Sequence, residues 1–250
     1  MHQNIYTIEP SSFVTDIVIH DYRTADVFRK YGIDFCCGGK WSLDIVCQNK
    51  NLSTEDIIEE LSKIVRQTGS NAALDFDNWD IDFLADYILN VHHRYLKRAL
   101  HEVKEQVTKF LDGHRNKFSE LEELETIINR FMKEIPPHMK QEEEIFFPYI
   151  KQIHHAHKHR ESYARLLIRT LRKPIEEVML KEHEATGSNL HRLRTITNNY
   201  TPPDKACIAH KVTFAKLKEL DNDLVQHIHL ESNILFPKAI QMEKELLQDN

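Results

Sequence analysis

A histidine followed four residues later by a glutamate occurs twice in this 250-residue chain, as His138/Glu142 and His227/Glu231. Each pair is followed by a proline, Pro148 or Pro237, in an Ile-Phe-Phe-Pro or Ile-Leu-Phe-Pro context. On an α-helix, positions four apart lie about 40° apart around the axis, so each pair aims an imidazole and a carboxylate the same way. That is a duplicated metal-ligand element. A further histidine precedes each pair at a similar distance: His92 lies 46 residues before His138, and His183 lies 44 before His227. The ligand set inferred from the spacing is His92, His138, Glu142, His183, His227 and Glu231.

Such ligands converge only if four helices carry them. Each half of the repeat reads as a two-helix hairpin whose apolar stripe it cannot bury alone, and two hairpins pack into an antiparallel four-helix bundle. Ile81, Leu84, Ile88, Val91, Tyr95 and Leu96 keep helical spacing and place His92 at the edge of that stripe. On the same periodicity His93 lies about 100° away from His92, and His229 about 200° away from His227. His93, His229, His101, His114, His191 and His210 are therefore read as surface or packing residues. The second helix is expected from about 118 to 153, kinked or restarted at Pro136-Pro137 because proline removes an amide donor and crowds the preceding turn. Pro174 with Glu176 and Glu177 reads as a helix start. Asn198 to Pro203 reads as a break before a last helix from about 204 to 245.

Imidazole with carboxylate suits borderline or hard first-row metals, whereas structural zinc and iron–sulfur sites draw on thiolates. Two histidines per metal, with Glu142 and Glu231 bridging, suit a carboxylate-bridged di-iron pair ahead of di-manganese. With an oxo or hydroxo bridge each iron keeps an open position for O2, NO or peroxide. Glu134, one turn before His138, and Glu182, directly before His183, are candidates to hydrogen-bond the ligands or carry protons. Glu143 and Glu144 are read as the polar flank of their helix. The run His154-His155-Ala-His157-Lys-His159 reads as a solvated connector between the two halves, with surface metal binding as the lesser alternative.

Only 6 glycines and 41% hydrophobic residues predict an all-α fold. A net charge of −6 provides no basic footprint for nucleic acid. No apolar run is long enough to span a membrane and the first ten residues do not resemble a signal peptide, so a cytoplasmic protein with no membrane partner is expected. Four cysteines, two adjacent, fit a reducing compartment. The stretch Gly69 to Asp77 reads as a linker, which divides the chain into a small helical domain at 1–72 and the bundle at 78–246. Within the small domain, helices are expected at Thr24–Tyr31 and after Ser53, flanking Cys36-Cys37-Gly38-Gly39. That pair can bind metal, transfer electrons, react with NO or bridge subunits; buried thiols packing the small domain are the equal alternative.

These residues carry a resemblance. Phe28-Arg-Lys-Tyr-Gly-Ile-Asp-Phe-Cys-Cys-Gly-Gly-Lys40, His138 to Pro148, Lys181 to Gly187, Thr197 to Pro203 and His227 to Pro237 together resemble the iron–sulfur cluster repair di-iron proteins, whose bundle is hemerythrin-like. The resemblance covers nearly the whole chain, and the family's ligand pattern falls on the six positions already read from spacing. It implies a non-haem di-iron centre, two irons per chain, that repairs iron–sulfur proteins damaged by nitric oxide or oxidants in the cytoplasm, and a homodimer. It leaves open whether the centre supplies iron, supplies electrons or reduces NO as an enzyme. A carrier or sensor of O2 or NO is the other reading, though the resemblance places one histidine fewer here than in oxygen-carrying hemerythrins.

Overall fold

The computed structural model describes residues 7–35, 40–66, 74–114, 122–171 and 175–248. Cys36, Cys37 and the glycines after them fall outside this set. Among the described residues the chain is helical, with a single isolated bridge between Phe13 and Ser42 in place of any strand. No described helix is long and apolar enough to cross a membrane.

Four short helices form the N-terminal part: α1 (Val14–His20), α2 (Ala25–Lys30), α3 (Leu43–Asn49) and α4 (Thr54–Arg66). Ser53 Oγ accepts the Asp56 amide at 3.2 Å, and Glu55 and Asp56 place acid at the positive end of α4, so this helix starts where its sequence says it should. Phe28, Phe35, Leu43, Ile57 and Leu61 are buried among these helices and belong to one continuous apolar cluster with Leu96, Val103, Leu217 and Leu224 of the bundle. The small helices are thus packed against the bundle. Phe35 sets its ring edge-on against His229, with centroids 5.8 Å apart, and Arg29 reaches the Asn222 carbonyl at 3.4 Å.

The bundle consists of four rods. The first joins α5 (Ile81–Tyr87) to α6 (Arg94–His114) through a π-helical turn at Ile88–His93. The second joins α7 (Glu122–Gln141) to α8 (Phe147–His159) through a π-turn at Glu142–Phe146. Helix α9 (Ala164–Leu171) leads to the third rod, α10 (Ile175–Ile196), and the fourth joins α11 (Ile208–Leu230) to α12 (Phe236–Gln248) through a π-turn at Glu231–Leu235. Neighbouring rods run in opposite directions. Glu123 meets Arg192, Arg130 meets Asn189 and His138 meets His183, while Arg194 meets Asp221 and His183 meets Ser232.

Several sequence expectations change here. Helix α7 runs through Pro136 and Pro137 without restarting. The two missing amides leave carbonyls near Met132 and Lys133 unbonded, but the buried stripe of Phe131, Ile135, His138 and Met139 stays in register and holds the helix together. The histidine run is not a loose connector. It forms the last turns of α8, ended by Arg160 in the left-handed conformation, and His154 within it is buried. The expected linker ends in a 3-10 turn at Phe76–Asn78 whose buried Phe76 ring packs on Trp79 and Tyr87. The break at 198 is sharper than proline alone requires: Asn198, Asn199 and Tyr200 all have positive φ, and the buried Tyr200 hydroxyl donates to Asp221 at 2.8 Å.

Candidate metal centre

Three of the four rods deliver their ligands from or beside a π-turn, while α10 carries His183 on regular helix. A π-turn inserts one extra residue into the helical ladder and shifts every later side chain around the axis; such turns are frequent at functional sites. The consequence is largest on the first rod. With α-helical pitch, Ile88 shares its face with His92; across the π-turn it shares it with His93. Ile88 and His93 are both fully buried, whereas Val91, expected on the apolar side, is 43% exposed. His93, not His92, enters the centre. His92 is buried beside it and sends its Nδ1 to Asp223 at 3.0 Å.

Two overlapping sets of four ligand atoms result, one from His93, Glu142, His227 and Glu231, the other from His138, Glu142, His183 and Glu231. Within the first set, His93 Nε2 and His227 Nε2 stand 3.0 Å apart; within the second, His138 Nε2 and His183 Nε2 stand 3.0 Å apart. Both glutamates belong to both sets. Glu142 lies 3.1 Å from His138, 3.4 Å from His93, 3.8 Å from His183 and 4.0 Å from His227. Glu231 lies 3.0 Å from His227, 3.3 Å from His183 and 3.8 Å from His93. Each histidine pair takes one ring from either hairpin, so neither hairpin completes a set alone.

The aromatic-proline motif now has a physical role. Phe147 stacks on the His93 ring and Phe236 on the His183 ring, with centroids 5.5 and 5.9 Å apart. In both hairpins the phenylalanine just before the proline covers the histidine supplied by the first helix of that hairpin. Each proline is the second residue after a π-turn, in the first turn of the helix that follows, where a residue with no N–H is tolerated. With Ile88, Phe146, Leu235 and Ile234 the two rings make a dry shell around the ligands.

Second partners hold the rings in orientation. His93 Nδ1 donates to Glu143 at 2.9 Å, and Glu143 is itself held by Lys97 at 2.8 Å. His138 Nδ1 donates to Glu182 at 2.5 Å, and His183 Nδ1 lies 2.7 Å from Ser232 Oγ. In each of these rings Nε2 is thereby left to face the centre, the arrangement that fixes a ligating tautomer. Glu182 stands where the sequence reading put it. Glu134 does not, being exposed on α7, and Glu143 does more than flank its helix. His229 is buried against Phe35 with Nδ1 bonded to Asn233, and Arg29 and burial push its pKa down to about 3, burial being the larger cause.

Without metal the centre's charges balance through protons. Burial opposes a charged imidazole, but the close approach of the Glu142 and Glu231 carboxylates outweighs it and raises His93 and His183 to about 10. Burial likewise opposes the two carboxylates, yet the facing histidines hold both well below the usual carboxylate range. Both oxygens of Glu142 and both of Glu231 nonetheless have no hydrogen-bond partner of proper geometry. Buried polar atoms in that condition call for an occupant, and imidazole nitrogens with carboxylate oxygens suit a first-row metal. His93→Ala is expected to lower bound iron sharply, while His92→Ala leaves it in place; elemental analysis of both variants checks this, and equal loss would restore the periodic reading.

Comparison with known proteins agrees with the geometry. Residues 84–239 match the Hemerythrin HHE cation binding domain, and residues 11–65 match ScdA_N, a Domain of Unknown function (DUF542). The protein from Escherichia coli O8 (strain IAI1) named iron-sulfur cluster repair protein YtfE is 34% identical over 221 residues, which span 88% of this chain and 93% of that protein. This chain belongs to the iron-sulfur cluster repair protein family. The iron-sulfur cluster repair protein ScdA of Staphylococcus haemolyticus (strain JCSC1435) is 29% identical over 92% of this chain and 99% of its own length. A probable iron-sulfur cluster repair protein of Haemophilus influenzae is 30% identical over 86% and 90%. Both parts of the chain, not the bundle alone, are therefore shared with these relatives.

Proposed function

We propose that this chain holds two irons, one in each four-ligand set, with Glu142 and Glu231 bridging them, and that it repairs iron–sulfur clusters damaged by nitrosative and oxidative stress by supplying iron or electrons. The observation that carries the two-metal reading is the sharing of both carboxylates by two separate histidine pairs. One metal would leave one pair unused. The named function of the relatives supports the repair reading. When bound, iron supplies a centre that changes oxidation state and exchanges ligands, which zinc in the same donor set cannot do.

The chain's own residues set the conditions for that chemistry. Glu143, Glu182 and Ser232 hold three imidazoles at fixed angles, and the stacked Phe147 and Phe236 exclude water from them. Four histidines and two carboxylates would not fill six-fold coordination at two metals, which would leave an outside molecule such as NO or O2 room to bind. Iron-loaded protein is expected to restore activity to a nitrosylated iron–sulfur enzyme under reducing conditions, with about two irons per chain by elemental analysis and a coupled pair by Mössbauer spectroscopy. Failure to restore the enzyme removes the repair reading. Formation of N2O over many turnovers with no loss of iron replaces it with an NO-reducing enzyme.

A further inference from the structure

The condition that marks the centre recurs some distance along the bundle. Among the described residues, Asp82 Oδ1 and His154 Nδ1 are buried and make no hydrogen bond, although they lie 3.1 Å apart. Asp80 Oδ1 lies 3.7 Å from the same nitrogen. One ligand atom from each of the three residues falls within 4.8 Å of the others. An imidazole nitrogen and a carboxylate oxygen at such a distance, not aligned for a hydrogen bond, are close enough to share a cation, although the Asp82 side chain is itself 44% exposed. His154 is only 9% exposed, so its bare nitrogen is not served by bulk water.

The donors come from two rods. Asp80 caps the start of α5 by accepting the Asp82 amide at 3.1 Å, which fixes both aspartates, and His154 lies in the last turns of α8. A cavity of about 570 Å3 borders the group and also reaches His157, which sits one turn along from His154 and is bonded to Glu245 at 2.7 Å. It offers space for the waters that would complete a coordination shell. One imidazole beside two carboxylates selects a borderline cation; magnesium and calcium take oxygen ligands and gain nothing from the ring. Lys158 now partners Asp80 Oδ2 at 3.4 Å, but both side chains are about half exposed and such a pair contributes little.

We propose that Asp80, Asp82 and His154 form a second, mononuclear metal site, separate from the four-histidine centre, that takes a borderline divalent first-row cation such as Zn2+ or Fe2+. The ion ties the start of α5 to the end of α8, the two rods that also deliver His93 and His138. Lys158 competes with the ion for Asp80.

The test is a Co2+ titration of full-length protein carrying its complete iron, followed by visible absorption and metal analysis. One further Co2+ per chain is expected, displaced by Zn2+ and not by excess Mg2+. Asp82→Asn and His154→Gln are each expected to weaken this site by about 100-fold or more, since even groups that only orient a ligand are worth 10–100-fold, with iron content unchanged. Lys158→Ala is expected to tighten it. The double variant His155→Ala/His159→Ala, which strips exposed histidines from the same helix, is expected to retain it. Absence of the extra Co2+, its survival in both Asp82→Asn and His154→Gln, its displacement by Mg2+ or its loss from the double variant would each overturn the proposal.

Discussion

Replacing Glu142 and Glu231 together by alanine is expected to abolish iron uptake, and either replacement alone to cut it from about two irons per chain to one or fewer. Glu142 approaches all four imidazoles within 4.0 Å and Glu231 three of them, so each carboxylate serves both histidine pairs. On the proposed two-metal reading, losing one would remove a bridge between the metals; losing both would leave four neutral rings with nothing to offset the charge of the ions. Ala at a fully buried position also creates a cavity, so circular dichroism and the glutamine variants, which keep the shape, must accompany the metal analysis. His229→Ala removes a ring two residues from His227 and from Glu231 and is expected to leave iron content unchanged, because His229 faces Phe35 and not the centre. A double variant that still loads two irons would remove the bridging assignment.

Five of the six positions read from spacing meet in one place, and the reason lies in how they are encoded. His138 and His227 lie on regular helix just ahead of the π-turns and Glu142 and Glu231 open them, so helical pitch still describes each four-residue step. His183 lies inside α10, where no irregular turn intervenes. His92 fails because the π-turn at Ile88–His93 lies between it and the apolar stripe that set the phase. A π-turn leaves little composition signature of its own. The prolines mark the turns of the second and fourth rods, but the first rod has none, and only the neighbouring His-His doublet hinted that its register was ambiguous.

The all-α fold and the pairing of hairpins follow from the duplicated motifs and the low glycine content, which local patterns express directly. What local patterns missed depends on the partner across the interface. Glu143 orients His93 only because the first and second rods pack side by side, and Phe147 covers the same ring from that same neighbour. Pro136 and Pro137 read as kinking or restarting α7 because propensity opposes them; the helix does not restart there, and the buried stripe around Phe131 and Met139 spans the prolines. His154, buried in what reads as a polar run, likewise lies 3.1 Å from Asp82, a residue far from it in sequence.

Iron binding at pH 8 is expected to release at least two protons per chain, from His93 and His183, with His138 raised in the same direction. In the metal-free protein His93 and His183, raised to about 10 by Glu142 and Glu231, are charged at that pH, while a ligating imidazole is neutral. Release should vanish above about pH 10, and apparent iron affinity should climb with pH up to that point, by about two decades per pH unit where both protons compete. Calorimetry in two buffers of different ionisation enthalpy measures the count. The same groups set the stability of the metal-free fold. A histidine raised from 6.5 to about 10 contributes fully below 6.5 and loses its contribution as pH rises through 10. A carboxylate lowered from 4.5 contributes above that value and loses its contribution as pH falls. Metal-free protein should therefore melt highest between about pH 4.5 and 6.5 and weaken on both sides. Iron-loaded protein should keep its melting temperature across the alkaline range, because iron takes over the charge that the two imidazolium protons carry and needs the rings neutral. Identical alkaline slopes for the two forms, or proton release indistinguishable from zero at pH 8, would mean that these four rings and two carboxylates are not where the iron binds.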